Sequence, residues 1–206
     1  MRDNSGTDSA TIPATAQKGI SAMTNRGVQS DRDFRLMALK FRLRDWLRPP
    51  DGILRAAGLR AGMTVLDFGC GPGGFSLAAA RLVGPEGQVY ALDRNPRALE
   101  YVRRAAARRR LGNVQPVAGD YVAGMPPASA DLVLLYDVLH HLDETGGVLA
   151  QFHRVLKPEG LLSVSDHHLQ EAAVLSAITG GGFFRLASRN RRTYEFEPVP
   201  VGGTAG

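Results

Sequence analysis

Between Thr64 and Ser165 the chain alternates short β-like runs with longer helical patterns, and that alternation leaves few folds open to it. The β-like runs are Thr64 to Asp67, Gln88 to Asp93, Asn113 to Ala118, Asp131 to Tyr136 and Leu161 to Ser165. Helical spacing occupies Gly74 to Val83, Pro96 to Arg109, Gly147 to Leu156 and, after the last run, Leu169 to Thr179. Strands joined through helices run parallel, and a parallel sheet needs helices over both faces. The expected fold class is therefore α/β. Two further runs, Phe183 to Ala187 and Thr193 to Phe196, flank the polar stretch 188–192 and predict a C-terminal antiparallel hairpin.

Residues 1–28 carry almost no periodic apolar residue and predict a disordered tail, followed by a single domain over 29–200. From Asp31 to Leu47, Phe34, Met37 and Phe41 and the row Leu36, Leu39, Leu43, Trp46 and Leu47 recur at three and four. This is an amphipathic helix, which Pro49-Pro50 ends. No apolar run approaches the roughly 18 residues that a bilayer span needs, and the N-terminus lacks the apolar stretch of a secretory signal, so a cytoplasmic protein is expected. The single cysteine, Cys70, excludes an intrachain disulfide and a cysteine-based metal cluster. A formal net charge of +5 admits an anionic partner, but solvated arginine-rich helix faces give the same figure and are the commoner reading.

The segment Val65-Leu66-Asp67 ends a strand, and glycines at 69, 71, 73 and 74 follow before the next helical pattern. Glycines belong where backbone turns tightly and approaches a ligand too closely for a Cβ, here at the carboxyl end of the first strand, where open α/β sheets bind nucleotides. The spacing Gly69-x-Gly71-x-x-Gly74 also fits a dinucleotide fingerprint, with Asp93 as the ribose acid in either case. Asp67 argues for a positively charged cofactor, because a carboxylate there repels a pyrophosphate and attracts a cationic amino-acid moiety. Gly119-Asp120, closing the third strand, places another carboxylate at the same edge, able to accept from an exocyclic amine such as that of adenine.

Five blocks in order resemble the class I S-adenosylmethionine-dependent methyltransferases, in the group that includes the ubiquinone and menaquinone biosynthetic enzymes. They are 65–74, Val89 to Asp93, Ala118-Gly119-Asp120, Asp131 to Leu142 with Asp137-Val138-Leu139-His140-His141, and Leu156 to Leu162. The resemblance runs from about Phe34 to Phe196. It implies a Rossmann-like seven-stranded, mostly parallel sheet in the order 3-2-1-4-5-7-6, with S-adenosyl-L-methionine as cofactor. It further implies that Asp67, Gly69, Cys70, Gly71 and Gly73 hold the methionine portion and that Asp93, with Arg94 beside it, binds the ribose hydroxyls. Asp120 would meet the adenine amine with Tyr121 beside the ring, Asp137 would line the methyl side, and the helix at 31–48 would lie over the pocket as a lid.

Methyl transfer from a sulfonium is an in-line displacement, so the protein mainly aligns the reactants, and a base is needed only where the acceptor gives up a proton. The doublets His140-His141 and His167-His168 fall just after the fourth and fifth strands. His167, directly after Asp166, is the preferred base and His141 the second candidate. The doublets lack the helical spacing of a metal site, so no metal is expected. With no added nucleic-acid module and no large insertion, a small-molecule acceptor is expected. An RNA methyltransferase remains open, and the basic side chains of 97–110 and 189–192 would then converge on the cofactor mouth. A non-catalytic cofactor-binding module and an NAD-dependent oxidoreductase are the remaining alternatives.

Overall fold

A computed structural model of the chain describes Leu36, Leu39, residues 49–119 and residues 121–200. The expected tail at 1–28, most of the expected lid helix at 31–48, and Asp120 lie outside the described residues; Leu36 and Leu39 are helical and exposed.

The elements follow one another as α1 (Pro50–Ala56), β1 (Thr64–Phe68), α2 (Gly74–Val83), β2 (Gln88–Asp93), α3 (Pro96–Arg108), β3 (Val114–Ala118) and α4 (Tyr121–Gly124). Then come β4 (Ala130–Tyr136), a 3-10 turn (Leu139–His141), α5 (Thr145–Val155), β5 (Leu156–Ser165), α6 (Glu171–Thr179), β6 (Phe184–Arg189) and β7 (Tyr194–Pro198). They form a seven-stranded sheet in the order β3-β2-β1-β4-β5-β7-β6. The strands β1 to β5 pair in parallel, β7 runs antiparallel to β5, and β6 is antiparallel to β7. This is the expected α/β fold and strand order, including the terminal hairpin.

Alternation along the central strand β4 divides the core in two. Leu132, Leu134 and Tyr136 face Leu54 of α1 and Ala78, Ala79 and Val83 of α2. Val133 and Leu135 face Val148, Leu149 and Phe152 of α5 and Val174 and Ile178 of α6. Successive strand side chains point to opposite faces, so a strand buried on both sides is apolar throughout, as Leu132 to Leu135 are. Helix α3 has a proline in its first turn and Asn95 accepting from the Arg97 N–H, and it turns Ala98, Val102, Ala105 and Ala106 inward. Glu100 joins Arg103 and Arg104 on its solvent side.

Two features add to or alter the sequence expectation. Pro49 is not helical, and Pro50 opens a further helix, α1, where the missing N–H of a proline costs nothing in the first turn. The fifth strand begins at Leu156 instead of Leu161, because Leu156 pairs with Ala130 before a register shift brings Leu161 opposite Leu132.

The carboxyl ends of β1 to β5 lie along one edge of the sheet, so the connections at 69–73, 94–95, 137–141 and 166–168 share that edge. Every expected site residue in the described chain stands there.

Candidate active site

Backbone constraints build the loop after β1. Gly69 and Cys70 both donate their N–H to the Leu92 carbonyl at 2.8 Å, tying the loop to the end of β2. Gly69 has φ +78°, and a Cβ there would stand 2.4 Å from Val138 Cγ2. Gly71 has φ +51°, but a Cβ there would meet nothing within 4 Å, so its backbone turns beneath open space. Gly73 donates to the Cys70 carbonyl at 2.9 Å and leads into α2. We expect Gly69→Ala to lose about 2–4 kcal/mol, combining left-handed strain with a clash, and Gly71→Ala about 1 kcal/mol from strain alone. Thermal melts of the two variants check the ordering, and equal losses would remove the packing argument.

Two carboxylates flank this loop. Asp67 is buried at 3% exposure, and its Oδ2 accepts from Ser76 Oγ at 2.5 Å. Burial raises its carboxyl to about 6 against the opposing Ser76 hydrogen bond, and the neighbouring Asp93 adds to the rise. Asp93 Oδ2 accepts the Gly71 N–H and Oδ1 the Asn95 N–H, both at 2.8 Å. Burial raises this carboxyl as well, opposed by the backbone donors of Asn95, Gly71 and Arg94. A carboxylate has about four acceptor positions, so Asp93 keeps capacity for further donors. Arg94 is exposed, and its stem lies across the end of β3, where a Cβ on Gly119 would stand 2.7 Å from Arg94 Cγ. The backbone of Tyr121 opens α4. Cys70 is buried, and burial together with the charges of Asp67 and Asp93 pushes its thiol far above the ordinary range, which leaves it unreactive at neutral pH.

At the ends of β4 and β5 two aspartates exchange partners across the strands. Asp137, at φ +56°, follows β4, and its Oδ1 meets the His167 Nδ1 at 2.6 Å and the His167 N–H at 3.2 Å. Asp166 follows β5, and its Oδ2 meets the His140 Nδ1 at 2.7 Å and the His140 N–H at 3.1 Å. Asp166 Oδ1 also accepts the His168 N–H at 3.0 Å. The structure gives Asp166 to His140 and Asp137 to His167, each pair joining the loop after β4 to the loop after β5.

The two pairs differ in depth: side-chain exposure is 18% for His140 and 0% for Asp166, but 68% for His167 and 31% for Asp137. Burial pulls the Asp166 carboxyl upward, yet the His140 ring and the backbone donors of His140 and His168 outweigh it and hold the group below the usual carboxylate range. A ring whose Nδ1 donates to a carboxylate presents Nε2 as its acceptor. The rings form a row in the order His141, His140, His168, His167, with centroid separations of 3.9, 4.3 and 3.9 Å. The two expected bases, His141 and His167, are the outer members. Among the described residues, no group of three or more His, Cys, Asp or Glu is arranged to hold a metal ion.

Sequence reasoning placed His140 at this edge without a partner, and it missed the parts played by Ser76 and Asp166. One signal for Ser76 was present: a polar residue beside Leu77-Ala78-Ala79-Ala80 on a buried helix needs a partner, and Asp67 supplies it.

Comparison with known proteins identifies the family and the fold. The family described as a methyltransferase domain matches residues 59–188, more than half of the chain. A demethylmenaquinone methyltransferase of Geobacillus kaustophilus is 33% identical over 112 residues, covering 54% of this chain and 48% of that protein. A ubiquinone/menaquinone biosynthesis C-methyltransferase of Marinomonas sp. is 35% identical over 132 residues, covering 63% and 53% respectively. The chain thus spans about half the length of these curated relatives. The crystal structure of a SAM-dependent methyltransferase from Aquifex aeolicus shares the fold, with a TM-score of 0.66 at 23% identity over 75% of this chain and 91% of that one.

Proposed function

Because the chain belongs to the methyltransferase-domain family, we propose that it transfers a methyl group from S-adenosylmethionine to a small-molecule acceptor. The observation that carries this reading is the pair of carboxylates around the open glycine turn. Asp67 is buried and Asp93 half-buried beside the unobstructed backbone of Gly71. Two acids there repel a pyrophosphate but suit a ligand with an ammonium, a sulfonium and a vicinal diol. The residues therefore fit S-adenosylmethionine. Asp67, Gly69, Cys70, Gly71 and Gly73 take its amino-acid portion, Asp93 and Arg94 its ribose, Asp120 and Tyr121 its adenine, and Asp137 lies toward the methyl group.

The cofactor supplies an electrophilic methyl on a positively charged sulfur. The chain's part is to hold the acceptor atom in line at a near-attack separation of roughly 3 to 3.5 Å and to remove its proton where it carries one. His167, held at Nδ1 by Asp137, keeps Nε2 for that proton, and His141 stands at the other end of the row as the second candidate. Asp137 fixes the His167 tautomer and stabilises the imidazolium that forms.

A small acceptor is favoured by the likeness to a demethylmenaquinone methyltransferase and a ubiquinone/menaquinone biosynthesis C-methyltransferase. Of the basic residues, Arg108 lies at the far end of α3, while Arg97 in its first turn and the turn at 189–192, which follows the carboxyl end of β6, stand at the edge that carries the site.

The test is methyl transfer from S-adenosylmethionine labelled on its methyl group to a panel of low-molecular-weight acceptors that includes a demethylmenaquinol, read by mass spectrometry. Label is expected on one acceptor class, with His167→Ala lowering turnover about 10²- to 10⁴-fold and leaving cofactor affinity in place. Cofactor binding with no transfer to any acceptor would point to a binding module.

A further inference from the structure

The mechanism leaves one buried interaction unused. Ser76 is fully buried in the first turn of α2, and its hydroxyl donates to Asp67 Oδ2. Three ionisable groups that bear no positive charge act on Asp67. Asp93 approaches from the end of β2, Cys70 from the glycine loop, and Tyr136 from the end of β4. Each of them is neutral or negative near neutral pH. A carboxylate in such a place is costly to ionise until a cation arrives, and Ser76 is the side chain that offsets part of that cost.

We propose that Ser76 is a positioning residue of the cofactor site, holding the Asp67 carboxylate for the ligand's ammonium, and that the site takes up its cationic ligand with release of a proton from Asp67. The proposal rests on the reading that the ligand is S-adenosylmethionine. The balance is simple: the Asp67 O–H bond breaks, its proton passes to the buffer, and the carboxylate pairs with the ammonium, with no covalent change in the ligand.

The sign follows from the direction of the shift. In the empty protein the Asp67 carboxyl stands raised at about 6, so at pH 8 it is ionised and binding releases almost no proton. Near pH 6 about half a proton leaves for each ligand bound, and below that pH the dissociation constant rises by about tenfold per unit. Loss of the Ser76 hydroxyl raises the carboxyl further, since a hydrogen bond to a charged group favours the charged form. The midpoint for Ser76→Ala then moves up by about one unit.

The experiment is calorimetric titration of the full chain with S-adenosylmethionine, and with S-adenosylhomocysteine as the second amino-acid ligand, at pH 5.5 to 8.5. At each pH two buffers of different ionisation enthalpy are used. We expect a buffer-dependent heat near pH 6 that vanishes at pH 8. Ser76→Ala should bind about eightfold more weakly at pH 5.5, about twofold more weakly at pH 7, and match the wild type at pH 8.5. Recovery at high pH separates positioning from structural damage, which alkali does not repair. If Ser76→Ala fails to fold, the wild-type buffer comparison and Asp67→Asn, which should bind weakly with no proton release at any pH, decide the matter. Tight binding with no buffer dependence at pH 6, or a Ser76→Ala deficit equal at all pH values, overturns the proposal and leaves the cofactor reading intact. No binding at any pH overturns both.

Discussion

Asp93→Ala should weaken S-adenosylmethionine binding by at least a hundredfold while the sheet still folds. Asp93 serves two partners at once. Its oxygens take the Gly71 and Asn95 N–H groups, which shape the loop, and its remaining acceptor positions are those assigned to the ribose. Two charge-assisted hydrogen bonds to a ligand contribute about 1.5–3 kcal/mol each, which corresponds to roughly 10²- to 10⁴-fold in affinity. The fold is spared because Asp93 stands at the half-buried edge of β2, where water replaces it for the released N–H groups. Calorimetry of wild type and variant with S-adenosylmethionine, and of wild type with NADH, checks this. A wild type that binds NADH and not S-adenosylmethionine would return the glycine turn to the dinucleotide reading.

Removing Asp166 should damage the protein more than removing Asp137, although the two play matching parts. Asp166→Ala strips a fully buried carboxylate from three donors, the His140 ring and the N–H groups of His140 and His168. Buried donors left without a partner cost about 1–3 kcal/mol each, moderated where water enters, so a loss of about 3–4 kcal/mol is expected. For a domain of this size that is a fall of roughly 10 °C in melting temperature. Asp137→Ala frees two donors at a more exposed pair, and about 1 kcal/mol is expected there. The pH dependence has a definite sign. The Asp166 carboxyl is lowered in the folded protein, so its contribution is present above the ordinary carboxylate range and is lost as pH falls through the depressed folded value. Melting curves of wild type and Asp166→Ala should therefore converge in acid, below about pH 4. Equal losses for the two variants at neutral pH would show that depth does not separate the pairs.

The strands, the helices between them and the glycine turn were legible because each is written in contiguous residues. A strand segment buried on both faces must read apolar throughout, as Leu132 to Leu135 of β4 do, and a turn with φ near +78° at Gly69 calls for glycine. Asp67 and Asp93 were legible for the same reason, since each is the acid at or next to the end of its strand. The hairpin was visible as two β-like runs around a polar turn, while its insertion of β7 between β5 and β6 came from resemblance alone. The helix at Pro50 was hidden, because two consecutive prolines equally end one helix or begin another, and only the packing of Leu54 against the α2 side of the sheet favours the second.

The partner of each acid was not legible. Asp166 and His140 are 26 residues apart, and Asp137 and His167 are 30 apart. The parallel pairing of β4 with β5 brings both pairs together. What the sequence determined by itself is therefore local: the alternation that demands a parallel sheet, the glycines that allow the turn, and the acids at the strand ends. Tertiary structure decided which acid holds which histidine, that His140 is deep and His167 shallow, and that Ser76 reaches Asp67. Hydrogen bonds and burial depend on distances across strands and helices, and a linear spacing carries those distances only after the sheet has set its register.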